Sequence, residues 1–152
     1  MRKFLLKFLL TLSVFISLSN YSNSQIVISQ VYGGGGNSGA TYTHDFIELF
    51  NRGTSAVSIA GWSIQYTSSA GTTWQKTDLS GTLLPGQYYL IQQAQGAGGT
   101  TALPTPDVTG TIAMSGTNGK VVLLNVNTLI TAGTSCPSGG IVEDIVGFGS
   151  AN

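Results

Sequence analysis

Apolar residues in this chain gather in short runs, several of them alternating with polar residues at a period of two, and each run is closed by turn residues. The first run is "IVISQVY" at 26–32. "DFIELFNR" at 45–52 is apolar on both faces, with Phe46 and Phe50 on one and Ile47 and Leu49 on the other, which predicts a central strand. "AVSIA" at 56–60 is short. "GWSIQYT" at 61–67 sets Trp62, Ile64 and Tyr66 against Ser63, Gln65 and Thr67, and so predicts a half-exposed strand. Further strands are predicted at 73–79, 86–93, 110–114, 119–127 and 142–149, the run at 119–127 buried on both faces. Pro85 and Gly86, in "LLPG", fit the central positions of a type II turn. No amphipathic helix of useful length is present. Short strands at a spacing near ten residues make the chain all-β and point to a β-sandwich. The longest irregular stretch is 94–110, a length usual for a functional or mobile loop.

Composition supports this reading. The 152 residues include 21 glycines, and only 8% are charged, whereas 41% are hydrophobic, which is too apolar for disorder. The start of the chain has its own pattern. Arg2, Lys3 and Lys7 precede an apolar run from Phe8 to Leu18, and Ser22 and Ser24 stand at −3 and −1 of a cut before Gln25. That is the layout of a secretory signal peptide at 1–24, with the mature domain at 25–152. The apolar run is about half of the ~20 residues that span a bilayer, so no membrane span is expected in the mature form. No Cys stands at the cut to carry a lipid. Without the leader, Arg52, Lys76 and Lys120 face all six acids, a formal charge of −3. Three scattered cations make no footprint for a phosphate backbone, so direct nucleic-acid binding is not expected.

One motif invites a sharper reading. Gly34, Gly36 and Gly39 spell G-x-G-x-x-G after a strand. A dinucleotide site needs a helix next, whose N-terminus meets the pyrophosphate. Here "ATYTHDFIELF" follows, a strand-like run, and no acid lies about 20 residues on. A P-loop would need Gly-Lys-Ser/Thr. The glycines are therefore expected to form a flexible connection, and no cofactor is expected. His44 is the single histidine; with Glu48 on its face it supplies two metal ligands where zinc needs three or four. Glu143 and Asp144 are adjacent and point to opposite faces, so they cannot act as a carboxylate pair on one bond. No G-x-S-x-G elbow accompanies His44. No loop carries EF-hand spacing for calcium. Neither catalytic nor metal-binding residues are assigned.

The string "DFIELFNRGTSAVSIAGWSIQY" resembles the lamin tail domain, in particular its bacterial secreted form. So do "LLPGQYYLI" at 83–91, "VEDIVGFGSAN" at 142–152 and the opening "ISQVYGGGGNSGATYTHDFIEL". The resemblance implies an immunoglobulin-like β-sandwich of lamin-tail type without catalytic residues. It also implies a neighbourhood, since secreted modules of this kind often stand beside extracellular nucleases and related hydrolases. The motif residues Glu48, Asn51, Trp62, Pro85 and Gly86 are read as structural. Trp62 opens a strand and suits the core. Asn51 can close an Asx-turn. Glu48, half-buried beside Phe46 and Phe50, needs a partner, either Arg52 or backbone N–H groups. Relatives commonly continue with a cysteine just after "GFGSAN". This implies a domain truncated at its C-terminal end, with Cys136 pairing to a residue beyond Asn152; the alternative is a buried free thiol. Such a disulfide would close a short loop and stabilise by roughly 3 kcal/mol.

The function expected from this is a secreted or periplasmic, non-catalytic module for interaction or attachment. Its partner would be a protein, a surface polysaccharide or a fused catalytic domain, with Tyr42 and Tyr66 as surface contacts. The alternative is an N-terminal accessory domain of a longer secreted metal-dependent nuclease or phosphatase whose catalytic domain lies outside this sequence. A third expectation is assembly through strand edges that few charges guard.

Overall fold

The computed structural model describes residues 24–131 and 137–151. The leader up to residue 23 and Cys136 lie outside these. Ten strands and no helix are present among the described residues. The first sheet has the order β1 (Ile26–Tyr32), β2 (His44–Asn51), β7 (Tyr88–Gln95), β8 (Val108–Thr109). The second has the order β10 (Val142–Phe148), β9 (Gly119–Leu124), β4 (Ser63–Thr67), β5 (Gln75–Asp78). A two-stranded ribbon joins β3 (Val57–Ser58) to β6 (Thr82–Leu83). Pairing is antiparallel throughout except between β7 and β8.

Alternation explains the core. In the first sheet Ile47 pairs with Ile91 and Leu49 with Tyr89; in the second Ile64 pairs with Leu123 and Tyr66 with Val121. All eight are buried and form one cluster between the sheets with Ile26, Ile112 and Met114. Burying a single such aliphatic side chain stabilises by about 1.5–3 kcal/mol. β2 is central, as its two apolar faces predict.

The second sheet departs from the sequence reading. β4 is buried on both faces rather than half-exposed. The segment 126–130 lies over its outer side. Ser63 Oγ donates to the Val126 carbonyl at 2.7 Å, and Gln65 Nε2 to the Thr128 carbonyl at 2.8 Å. The Ile130 N–H returns a bond to Gln65 Oε1 at 2.9 Å. Polar residues in an alternating pattern thus anchor a covering segment instead of meeting water. Beneath it Trp74, Val122 and Leu124 form a second cluster with Ile130 and Ile145. Trp62 stands just before β4 and is only half-buried against the main core, so the fully enclosed tryptophan is Trp74. The predicted strand at 110–114 is also absent: its N–H groups at Ile112 and Met114 bond to the side chains of Gln93 and Asp45.

Two sequence motifs clasp each other. Asn51, at the end of β2, donates its N–H to the Gln87 carbonyl at 3.0 Å and accepts from the Gly86 N–H at 2.9 Å. Its Nδ2 donates to the carbonyls of Leu83 and Ser55, both at 2.9 Å, and its Oδ1 accepts from the Gly53 N–H at 3.0 Å, which is an Asx-turn. The Leu84–Gln87 turn closes through a 3.0 Å bond from the Gln87 N–H to the Leu84 carbonyl, and Gly86 takes φ +73°, as a type II turn requires. Asn51→Ala strands a buried carbonyl and a turn N–H, so it should destabilise the fold by about 3 kcal/mol in urea titration. Arg52→Ala, at the exposed next position, should stay within about 0.5 kcal/mol.

Candidate functional site

The glycine segment is the first place to look for chemistry, and it is close-packed rather than a flexible connection. A Cβ on Gly33 would lie 2.1 Å from the Ser115 carbonyl oxygen, and one on Gly36 would lie 2.3 Å from the Gly96 Cα. Gly36 also takes φ +70°. The N–H groups that would cradle a phosphate are already engaged. Gly34 donates to the Met114 carbonyl, Gly35 to Asp45 Oδ1 at 2.6 Å and Gly36 to the Tyr42 carbonyl at 2.7 Å.

Asp45 organises this end of the sandwich, and sequence reading passed over it. It is buried, and its second oxygen accepts from the Met114 N–H at 2.7 Å. Burial pushes its carboxyl above the ordinary aspartate value of 3.8; the bonds from Met114, Gly35 and Gly34 and the nearby His44 oppose that rise. A carboxylate at the start of an apolar strand run was the available signal.

The other titratable candidates do not converge. His44 Nδ1 lies 2.9 Å from Thr43 Oγ1. Glu48 takes its partner from neither Arg52 nor a backbone N–H: Ser29 Oγ donates to its Oε1 at 2.8 Å. Asn125 Nδ2 donates to Glu143 at 2.8 Å, while Asp144 accepts from the Ile28 N–H at 2.8 Å. Among the described residues no three His, Cys, Asp or Glu side chains stand together as metal ligands.

Of the two proposed tyrosine contacts, Tyr66 is not on the surface. It is buried in the main core, where its hydroxyl accepts from the Ser115 N–H at 2.9 Å. Its place on the same strand face as Ile64 turns it inward. Tyr42 is half-buried, edge-on to both Tyr32 and Phe46, with Tyr32 stacked on Phe46 at 5.1 Å. Among the described residues the exposed aromatic is Tyr88, 57% accessible, whose ring lies 4.6 Å from that of Phe50 across the strand pair. Leu84, in the preceding turn, is 58% exposed. The "YY" doublet holds this signal, because adjacent strand residues face opposite ways: Tyr89 goes into the core and Tyr88 goes out. Large apolar side chains left exposed together on one sheet face mark contact surfaces.

A sandwich of two four-stranded sheets, pinned by the Asn51 clasp, is the setting in which the family match has meaning: the Lamin Tail Domain model matches residues 19–136. The chain belongs to the lamin tail domain family. No curated protein matches it. In this lamin tail domain the clasp, the glycine crossing and the Phe50–Tyr88 pair all lie within the matched residues, whereas β10 lies beyond them.

Asp45 yields a prediction with a definite sign. A carboxyl whose folded value is raised holds its proton longer in the folded chain than in the unfolded one. Its contribution to stability is present below 3.8 and falls as the pH rises through the raised value. Asp45→Asn lacks this titration and leaves either the Gly35 or the Met114 N–H without an acceptor. The stability advantage of the parent over Asp45→Asn should therefore narrow as the pH rises through that window, as read by denaturation at a series of pH values.

Proposed function

We propose that this lamin tail domain is a secreted, non-catalytic module that attaches its chain to a partner protein or a surface polysaccharide. The observation that carries this reading is the solvent-facing group on the first sheet, Tyr88 against Phe50 with Leu84 in the adjoining turn. An aromatic ring with a polar tip suits both kinds of partner. The buried polar side chains of the first sheet serve the fold: Asn51, Asp45 and Gln93 each bond to backbone.

Secretion rests on the sequence of the leader. A cut between Ser24 and Gln25 precedes the first strand, which opens at Ile26, and so leaves every strand whole. The resemblance to the bacterial secreted form of the domain supports the same reading. A second reading rests on the same family membership: the module is an accessory to a secreted metal-dependent nuclease or phosphatase, with hydrolysis supplied by another domain.

Expression with the native leader in an exporting host, followed by N-terminal sequencing of the exported product, should give Gln25 as the first residue. Retention of Met1 on a cytoplasmic product would overturn the export reading. Tyr88→Ser should weaken retention on the partner surface about fivefold or more while leaving the thermal midpoint nearly unchanged, because the ring is mostly exposed. The purified chain should hydrolyse neither nucleic acid nor phosphate esters with magnesium, and turnover by it would sink both readings.

A further inference from the structure

The open side of the sandwich carries a second surface. β1 is the edge of the first sheet and β10 the edge of the second, and they lie beside each other. At one end they are stapled, since Asp144 Oδ2 accepts from the outward-facing Ile28 N–H. Both strands are irregular at this point, β1 between Ile28 and Gln30 and β10 between Val142 and Asp144. Past the staple a cavity of about 410 Å³ opens between them. It runs along the β1 backbone from Ile28 to Gly33 and is closed on the far side by Gly116, Val146 and Phe148. That volume falls within the usual range of binding clefts, roughly 300–1,000 Å³.

We propose that this cleft takes up an extended peptide as an added strand on β1, with apolar residues of the peptide alternating with lysine or arginine. An edge strand has backbone groups without a strand partner, and an added strand supplies one. Past the stapled Ile28, the stretch from Ser29 to Gly33 accommodates about five residues, roughly 16 Å of strand. Alternation then decides the ligand. Side chains turned inward meet Val31, Val146 and Phe148, which are apolar. Side chains turned outward run beside Gln30 and Ser29, and behind these, on β2, Glu48 reaches over β1 to accept from the Ser29 hydroxyl at 2.8 Å. Asp144 and Glu143 stand at the stapled end.

Charge also separates this ligand from a second copy of the chain. Self-pairing along β1 would bring towards each other the acids that flank it in both copies, Glu48 on β2 and Glu143 and Asp144 on β10. The described part of the chain offers only Arg52, Lys76 and Lys120 in return. Lys76 is bound to Asp78 at 2.7 Å, Lys120 is buried, and the exposed Arg52 follows β2 beside Gln25, at the end of β1 away from the cleft. A basic partner meets the acids that a second copy would repel. The cleft is separate from the Tyr88 face, so Tyr88→Ser leaves peptide binding intact and the two surfaces can fail independently.

The probe is a six-residue peptide of alternating lysine and valine, titrated into the isotope-labelled full chain while amide shifts are followed. Shifts should be confined to Ile28–Gly33, Gly116 and Val146–Phe148. A glutamate–valine peptide should bind at least about tenfold more weakly, as should the lysine–valine peptide to Val146→Arg, which fills the cleft and adds a cation. Glu48→Lys should weaken binding about threefold. Should Val146→Arg fail to fold, the charge comparison between peptides on the parent chain decides alone. Equal binding of both peptides, shifts centred on Phe50 and Tyr88, or a concentration-dependent dimer mapping to β1 would each overturn the proposal.

Discussion

Three N–H groups in the segment 112–115 have no strand ladder to bond to, and the sandwich closes because side chains from both sheets reach them. Gln93 of β7 takes the N–H of Ile112, Asp45 of β2 takes that of Met114, and Tyr66 of β4 takes that of Ser115. The segment must be buried, because Ile112 and Met114 fill the core between the sheets. A buried N–H without a partner is costly, so these acceptors are obligatory. The same carboxylate also holds Gly35, which draws the glycine segment onto the crossing and brings backbones so close that only glycine fits.

Similar bonds fasten the two sides of the sandwich. On the β5 and β7 side, Gln93 Nε2 donates to Thr77 Oγ1 at 3.0 Å. On the β1 and β10 side, Asp144 holds the Ile28 N–H. The first fastening is buried and continuous with the crossing segment. The second is partial, and the strands beyond it leave a cleft. That edge is accessible where the two strands diverge beyond Asp144, whereas the Tyr88 face is open because the chain folds nothing over it among the described residues. On the second sheet the segment 126–130 does provide such a cover, held by Gln65.

Much of the scaffold was legible in the residues. The runs at 26–32 and 45–52 give β1 and β2 almost to the residue, "GKVVLLNVN" gives a strand buried on both faces, and "LLPG" gives its turn. These features are local: period-two burial, the fixed φ of proline and the left-handed freedom of glycine. The misreadings share a different cause. Ser63 and Gln65 look solvent-facing by alternation, yet a segment some sixty residues away lies across them. Residues 110–114 look like a strand, yet their hydrogen bonds go to side chains. Tyr66 looks available for contact, yet its hydroxyl closes the core.

By itself, then, the sequence determined the all-β character, the strand series, the central place of β2, the Asx-turn at Asn51 and membership in the lamin tail domain family, because each depends on neighbouring residues or on motif order. Tertiary structure decided which polar residues are buried, which tyrosine is exposed, why the glycines are required and where an edge stays open. Those outcomes depend on which distant segment covers a given face, and on burial, which makes a polar group bond to whatever the fold brings within about 3 Å.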